Sequence, residues 1–509
     1  MKVSLINLAL LVEDAIGTCV INQARFFLHR GDDVHVYVQQ LAHNAPDDIK
    51  AITSVVTSGE LIDGQQEHFC SSDLYIYHYP GRYSLMDSIR SIDRGTVIFY
   101  YHNVTPPELW GSDVGRDWLV QGVKGKRLAH CAHFCITPSP FNKQDLIDNL
   151  DYPADRIYVL PLFVPLEQLT PGDKDPKLVQ HYKLEGQRVL LYVGRMAGNK
   201  RIDILIEALA QVKGQIPNTK LLLVGDNQSN PAFRPIVARA QARAAELGIT
   251  HDVIWTGRVG ELTPYLRLAD VFVTASLHEG FGVPLIEAMA CGVPVVASRA
   301  GAMPWVVDDA GLICDSGNAG DMAEKVLAVL EDTDLHQTLV ERGLERVKAF
   351  SLEQYEANLA EIVEQTATYT APKIPSELAG KSKEAQKQPA SVTPQDELIL
   401  DILTNEIKDC SDIAIRGYVI RSKIPLLGPF IAWARRTLTS HLREPYLDPM
   451  IERQVTLNYR VAEWMKRIKS AWTAATRRQT ELETRIETLE AQVETLTRRL
   501  NADEFEKGA

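Results

Sequence analysis

Glu279 and Glu287 stand eight residues apart, on either side of the run Gly280-Phe281-Gly282-Val283-Pro284. Carboxylates accept hydrogen bonds. A glycine turn followed by proline starts a helix, because the N–H that proline lacks is not needed in the first turn. The spacing predicts a helix running through Glu287 and Ala288 to Cys291-Gly292. Its N-terminus offers free N–H groups and a partial positive charge to an anion. Gly280 and Gly282 let the backbone come close to a ligand. Such a loop holds a phosphate while its carboxylates bind hydroxyl groups, and a nucleotide sugar carries both.

Two cations precede this loop. Gly194-Arg195 closes an apolar run, and Lys200 follows five residues after Arg195. Arginine presents a planar fork of donors and lysine a compact charge. From a loop between strand and helix the pair reaches a diphosphate and stabilises negative charge developing on it. A solvated surface pair is the plain alternative. In the first half, His102 lies in Tyr100-Tyr101-His102-Asn103-Val104-Thr105-Pro106-Pro107. After a strand end and before a rigid turn it is placed to hydrogen-bond a hydroxyl, although a lone histidine is more often structural. Ser139 reads equally as a helix N-cap before Phe141–Asn149.

Two other clusters are set aside. His130-Cys131-Ala132-His133-Phe134-Cys135 has zinc-ligand residue types but no zinc-ligand spacing, and reads as thiols in a buried segment. Asp332-Thr333-Asp334 lies between two helical patterns, away from any strand end, and reads as solvent-exposed. No metal is expected.

The elements that position these residues alternate. Strand-like runs are 3–8, 34–38, 74–77, 97–101 and 134–137, with helical patterns at 17–29 and 143–149. Residues 158–165 read as the exit from this unit. A second alternation has strands at 189–193, 220–224, 253–256, 271–274 and 295–297, and helices at 202–212, 322–330 and 335–347. Alternation of this kind implies parallel sheets covered by helices, with ligands beyond the carboxyl ends of the strands.

At 509 residues the chain exceeds one core. A net charge of -12 argues against general nucleic-acid binding, and seven scattered cysteines suggest reduced thiols rather than a disulfide framework. The apolar start from Val3 to Val12 runs into Glu13-Asp14 and reads as a buried strand, not a leader. Residues 369–395 have a linker's composition, and 396–475 read as helical and basic. The acid-free cations Arg416, Arg421, Lys423, Arg435, Arg436 and Arg443 flank an apolar, aromatic segment. That pattern suits either an anionic membrane surface (416–443) or a partner helix. Leu482, Ile486, Leu489, Val493, Leu496 and Leu500 form a coiled-coil seam, so 476–503 should assemble a homo-oligomer through 482–500.

Val193-Gly194-Arg195 with Lys200, Leu223-Val224-Gly225, Trp255-Thr256-Gly257-Arg258-Val259, Ala269-Asp270-Val271-Phe272-Val273 and Glu279 to Ser298 occur in this order. Together they resemble glycosyltransferase family four, the retaining sugar-nucleotide transferases of GT-B fold. The resemblance covers residues 1–368 and is strongest from 187 to 310. It implies an α/β architecture of two Rossmann-like doubly wound domains facing a cleft. These are an acceptor-side domain (1–170) and a nucleotide-sugar-binding domain (171–350), closed by a helix (351–368) and followed by the helical tail with its coiled coil.

The resemblance also implies roles. Arg195 and Lys200 would bind the donor diphosphate, Glu279 the sugar hydroxyls and Glu287 the ribose. His102 would point into the cleft near the sugar. Gly194, Gly280, Phe281 and Gly282 would give backbone contacts, and Val259 would lie beside the base. Gly17 stands alone in Asp14-Ala15-Ile16-Gly17, where the family often has a glycine pair. The implied function is metal-independent, retaining transfer of a hexose from a nucleoside diphosphate sugar to a hydroxyl of a glycan or glycolipid, in cell-surface polysaccharide synthesis. No cofactor beyond that co-substrate is expected. The implied location is the cytoplasm, at the inner face of the membrane. The alternatives are a sugar-nucleotide epimerase of the same fold, or a non-catalytic scaffold assembled by the coiled coil.

Overall fold

Continuous apolar runs of the first half build a parallel sheet. Its strands are β1 (Lys2–Leu10), β2 (Asp33–Leu41), β3 (Thr53–Val55), β4 (Leu74–Tyr79), β5 (Thr96–Tyr101), β6 (Phe134–Thr137) and β7 (Ile157–Val159), in the order β3-β2-β1-β4-β5-β6-β7. Every residue of β4 and β5 is buried, as expected of strands covered on both faces. They pair in register from Leu74↔Thr96 to Tyr79↔Tyr101. The computed structural model describes residues 1–11, 14–227 and 229–367. The expected linker, basic segment, membrane surface and coiled-coil seam lie outside the described residues.

The second half repeats the plan. Strands β8 (Arg188–Val193), β9 (Thr219–Val224), β10 (Val253–Gly257), β11 (Val271–Thr274), β12 (Val295–Ser298) and β13 (Gly311–Cys314) lie in the order β10-β9-β8-β11-β12-β13, all parallel. In each sheet the order reverses beside the first strand, between β1 and β4 and between β8 and β11. Loops leaving those strand ends diverge and open a crevice.

Some local expectations needed correction. The segment 158–165, read as an exit, begins inside edge strand β7, where Tyr158 pairs with Ile136. Strands β3 and β13, both short and at sheet edges, were not foreseen. The helix after the glycine turn is Val283–Ala290, with Pro284 in its second position rather than its first and Gly282 at φ 107° as its N-cap. Ser139 does cap its helix, Pro140–Leu150, accepting from the Asn142 N–H at 3.3 Å.

The suspected zinc cluster has other work. Cys135 is buried in β6, and the His133 Nδ1 accepts from the Val97 N–H at 2.9 Å. Among the described residues no group of three or more His, Cys, Asp or Glu is placed to hold a metal ion, and all six cysteines are free thiols. Asp332 is exposed and caps the Thr333–Arg346 helix. No described helix is long and apolar enough to cross a membrane.

The last described helix, Leu352–Ala367, returns to the first half. Its Tyr355 hydroxyl accepts from Gln23 Nε2 at 2.8 Å, and its ring packs on Phe163 at 5.3 Å. The two halves also meet at backbone distance, where the Gly198 N–H donates to the Trp110 carbonyl at 3.0 Å. A Cβ on Gly198 would lie 2.7 Å from that carbonyl oxygen.

Gly17 sits buried in the first turn of the Ala15–His29 helix, and a Cβ there would lie 1.9 Å from the Leu11 carbonyl oxygen. Backbone gives way less readily than a side chain. Gly17→Ala should therefore destabilise the protein by ~1–3 kcal/mol, seen as a lower urea midpoint. An unchanged midpoint contradicts this account of the turn.

Candidate active site between the two sheets

A cavity of about 620 Å³ lies beyond the carboxyl ends of both sheets. Asp14 and the first helical residues Ala15 and Ile16 line it after β1, and His102 to Thr105 from the loop after β5. Arg195, Asn199 and Lys200 face them from the loop after β8, with His278 to Gly282 from the loop after β11 and Val283 from the helix that follows. The structure thus brings together His102, Arg195, Lys200, Glu279, Gly280, Phe281 and Gly282, which are seven of the eleven residues expected from the sequence.

Lys200 is buried, and its ammonium pairs with Glu279 Oε1. Ser276 Oγ donates to the same oxygen at 2.9 Å. Burial would raise the Glu279 carboxyl, but the Lys200 charge, with Ser276 and Arg195, outweighs it and holds the group below its ordinary range. Glu279 is therefore ionised, and its Oε2 is left as an open acceptor among the described residues. Its backbone is held from behind: Ala302 N–H donates to the Glu279 carbonyl at 2.9 Å, and a Cβ on Gly301 would lie 2.2 Å from that oxygen.

Arg195 differs from Lys200. It is exposed, makes no ion pair within 4.0 Å among the described residues, and lies 5.7 Å from the centre of the Trp110 ring. Gly194 does not line the cavity; its role is to shape the turn. At φ 155° it lets the Tyr192 hydroxyl reach the Arg195 carbonyl at 3.0 Å, and a Cβ would lie 2.6 Å from that hydroxyl.

Polar side chains of the first half grip the glycine loop of the second. Ser139 Oγ and Asn142 Nδ2 both donate to the Gly280 carbonyl, at 2.9 and 3.0 Å. Asn103 Nδ2 donates to Asn142 Oδ1 at 2.6 Å, while its Oδ1 is 2.8 Å from His278 Nε2. Asn103 holds φ 76°, a left-handed conformation that asparagine tolerates better than most residues. A Cβ on Gly280 would lie 2.7 Å from the Asn103 Cβ, so only glycine allows this approach. Ser139 is both a cap and a contact across the cleft.

Buried polar atoms without partners are scarce in folded proteins. Four side-chain atoms are in that condition among the described residues, and two belong to cavity residues: His102 Nδ1 and Asn199 Oδ1. The Asn199 oxygen can only accept a hydrogen bond, whereas the role of His102 Nδ1 depends on the tautomer of its ring. At the cavity wall Trp118 is exposed and lies against Gly81, whose added Cβ would lie 2.5 Å from the ring.

Gly17, Gly194, Val259 and Glu287 are absent from the cavity's described lining. Val259 is half-buried and packs against a hydrophobic cluster. Phe281 lines the cavity while its ring packs on Phe350 at 5.6 Å. Glu287 is half-buried with no hydrogen bond or ion pair among the described residues, and burial pushes its pKa up to about 7. Sequence reasoning missed Ser276, Asn199, His278 and Asn103. The last two are chain neighbours of Glu279 and His102, and that adjacency was the available signal.

The Glu287 shift has a consequence for stability. A carboxyl whose folded pKa is raised contributes fully below its unfolded value near 4.5, and that contribution is lost as pH rises through about 7. Glu287→Gln should therefore gain up to ~3 kcal/mol over the native protein at pH 8, and the gain should vanish by about pH 4.5. Urea unfolding at the two pH values measures it, and an equal difference at both rejects the assignment.

Residues 173–346 match the family model described as glycosyl transferases group 1. The O-antigen chain mannosyltransferase B of Escherichia coli is 31% identical over 287 residues, covering 55% of this chain and 71% of that protein. A D-inositol 3-phosphate glycosyltransferase of Corynebacterium jeikeium is 31% identical over 215 residues, covering 41% of this chain and 51% of that protein. HepE of Anabaena, solved with UDP and glucose, superposes with a TM-score of 0.58 at 20% identity, over 72% of this chain and all of its own. That likeness speaks to the fold, which is GT-B. On the family model and the Escherichia coli relative together, the chain belongs to the group 1 glycosyltransferases.

Proposed function

We propose that the protein transfers a hexose from a nucleoside diphosphate sugar to a hydroxyl of a glycan or glycolipid, with retention at the anomeric carbon. One observation carries this reading: an exposed, unpaired Arg195 stands beside a Lys200–Glu279 pair whose second carboxylate oxygen is open, all on one cavity between two switch points. The cations suit a diphosphate and the open acceptors suit sugar hydroxyls.

In this mechanism the bond from the anomeric carbon to the diphosphate oxygen breaks as the acceptor oxygen bonds to the same face. The acceptor proton passes to an oxygen of the departing diphosphate. No protein nucleophile is required. Arg195 and Lys200 stabilise the charge that develops on the leaving group. Glu279 Oε2 and His102 orient the sugar, the loop Gly280-Phe281-Gly282 supplies backbone contacts, and Glu287 takes the ribose hydroxyls. The roles of Gly17 and Gly194 are to shape the loops that carry these groups, and Val259 would flank the base. The acceptor enters from the first half, over Trp118. Two relatives are named for O-antigen chain and lipopolysaccharide core synthesis, which supports a cell-surface glycan as product.

Because Arg195 is exposed and makes no ion pair among the described residues, Arg195→Ala should leave folding intact and remove little besides the charge and its contact with the Trp110 ring. It should lower turnover of the donor roughly a hundredfold or more; near-native turnover with native stability contradicts the role. Lys200→Ala is a poorer probe, since it leaves the half-buried Glu279 carboxylate without its cation and so disturbs stability as well as charge.

The diphosphate is neutralised by side chains in this mechanism, so transfer should persist in excess chelator. Complete loss, restored by manganese or magnesium, would falsify the metal-independent reading. Conversion of the sugar nucleotide to its epimer without any acceptor would instead mark an epimerase.

A further inference from the structure

A chain of buried polar side chains runs from the last described helix to the cavity, and no member but the last meets the ligand space. Tyr355 on Leu352–Ala367 receives Gln23 Nε2 at 2.8 Å, and Gln23 Oε1 lies 2.9 Å from His78 Nε2. His78 Nδ1 lies 2.9 Å from His102 Nε2, and the far nitrogen of His102, Nδ1, is buried without a partner. Gln23, His78 and Tyr355 are all buried. The His102 ring is held in plane between Tyr100, at 4.2 Å, and His78, at 5.2 Å.

We propose that Tyr355, Gln23 and His78 set the tautomer of His102, so that its Nδ1 is an acceptor for a hydroxyl of the donor sugar. This rests on the donor reading above. The three are positioning residues, acting through His102.

The polarity follows from one end to the other. An amide oxygen can only accept, so with Gln23 Oε1 facing it, His78 Nε2 carries the proton. Burial pushes His78 down to about 3 and holds His102 well below its ordinary value, so both rings are neutral. A neutral imidazole has one donor and one acceptor. His78 Nδ1 therefore accepts, His102 Nε2 donates, and His102 Nδ1 keeps its lone pair. The opposite polarity needs the Gln23 amide reversed and leaves an N–H buried on His102 Nδ1 with no acceptor. A stranded N–H is rarer in proteins than a stranded acceptor.

The chemistry at stake is recognition. Glu279 Oε2 and His102 Nδ1 would then present acceptors from opposite halves of the cleft. A hexose, whose hydroxyls all donate, satisfies both at once. An N–H on His102 would instead face a hydroxyl that must turn its lone pair inward.

The test uses the full chain in two ways. Nitrogen-15 NMR of histidine-labelled protein, with His102 assigned by its loss in His102→Asn, should show Nε2 protonated and Nδ1 bare; a protonated Nδ1 overturns the proposal. In turnover, His78→Leu should lose about five- to tenfold, the worth of one hydrogen bond, with affinity for the free nucleoside diphosphate unchanged. His78→Asn should recover most of that loss, because its Oδ1 can replace Nδ1 as acceptor. Equal losses in both variants, or loss of nucleotide affinity as well, mean that His78 is only packing. If His78→Leu does not fold, Gln23→Met carries the same arm with the same outcomes. A wild-type protein that turns over no nucleotide sugar rejects the donor reading, and the NMR result then still decides the tautomer.

Discussion

The ion pair of buried Lys200 with half-buried Glu279 is the constraint on which the site depends. Two charges taken from water cost several kcal/mol each unless geometry and hydrogen bonds offset the loss. Here the carboxylate is one that the surroundings satisfy on one side only. Lys200 and Ser276 both use Oε1. Asn199 ties the two loops into one piece, accepting the Leu277 N–H at 2.7 Å and donating to the His278 carbonyl at 3.1 Å. Ser298 closes the same unit from β12 by donating to the Ser276 carbonyl. A charge held this firmly has little freedom left to reorganise, which is what a preorganised site requires.

The second constraint is the closeness of the two halves. Gly280 meets His102 and Asn103, and Gly198 meets Trp110 and Gly111, at distances where any Cβ would collide with backbone or with the base of a side chain. Loop backbone at such junctions must be satisfied locally. The Gly280 carbonyl is taken by two donors from the opposite half, Ser139 and Asn142. Of the four buried side-chain atoms without partners among the described residues, two belong to cavity residues, His102 and Asn199. Those two are within the reach of a polyhydroxylated ligand in the cavity.

Much of the fold was legible because parallel strands buried on both faces are continuous apolar runs. β4 and β5 show this plainly, and the glycine turn before Val283–Ala290 was read almost to the residue. The strands that escaped, β3, β7 and β13, have only three or four residues each, and edge position gives them no clear pattern. Seven site residues meet in one cavity because they follow strand ends, and strand ends can be read in sequence. The supporting atoms could not be. Ser276 and Asn199 have no motif of their own, and their value lies in partners brought near by folding. Gln23 and Tyr355 are 332 residues apart, and nothing in the chain between them announces their contact. His78 offered a faint sign, a polar residue inside the otherwise apolar and aromatic strand β4.

Calorimetric titration of the purified full chain with a series of nucleoside diphosphate sugars tests the central claim most directly. The account predicts that one of them binds at a single site per chain. It also predicts that Glu279→Gln weakens that binding while leaving affinity for the bare nucleoside diphosphate nearly unchanged, since the open carboxylate oxygen contacts the sugar. If no nucleotide sugar binds, or if Glu279→Gln weakens the bare diphosphate as much as the sugar conjugate, the site is not built as described.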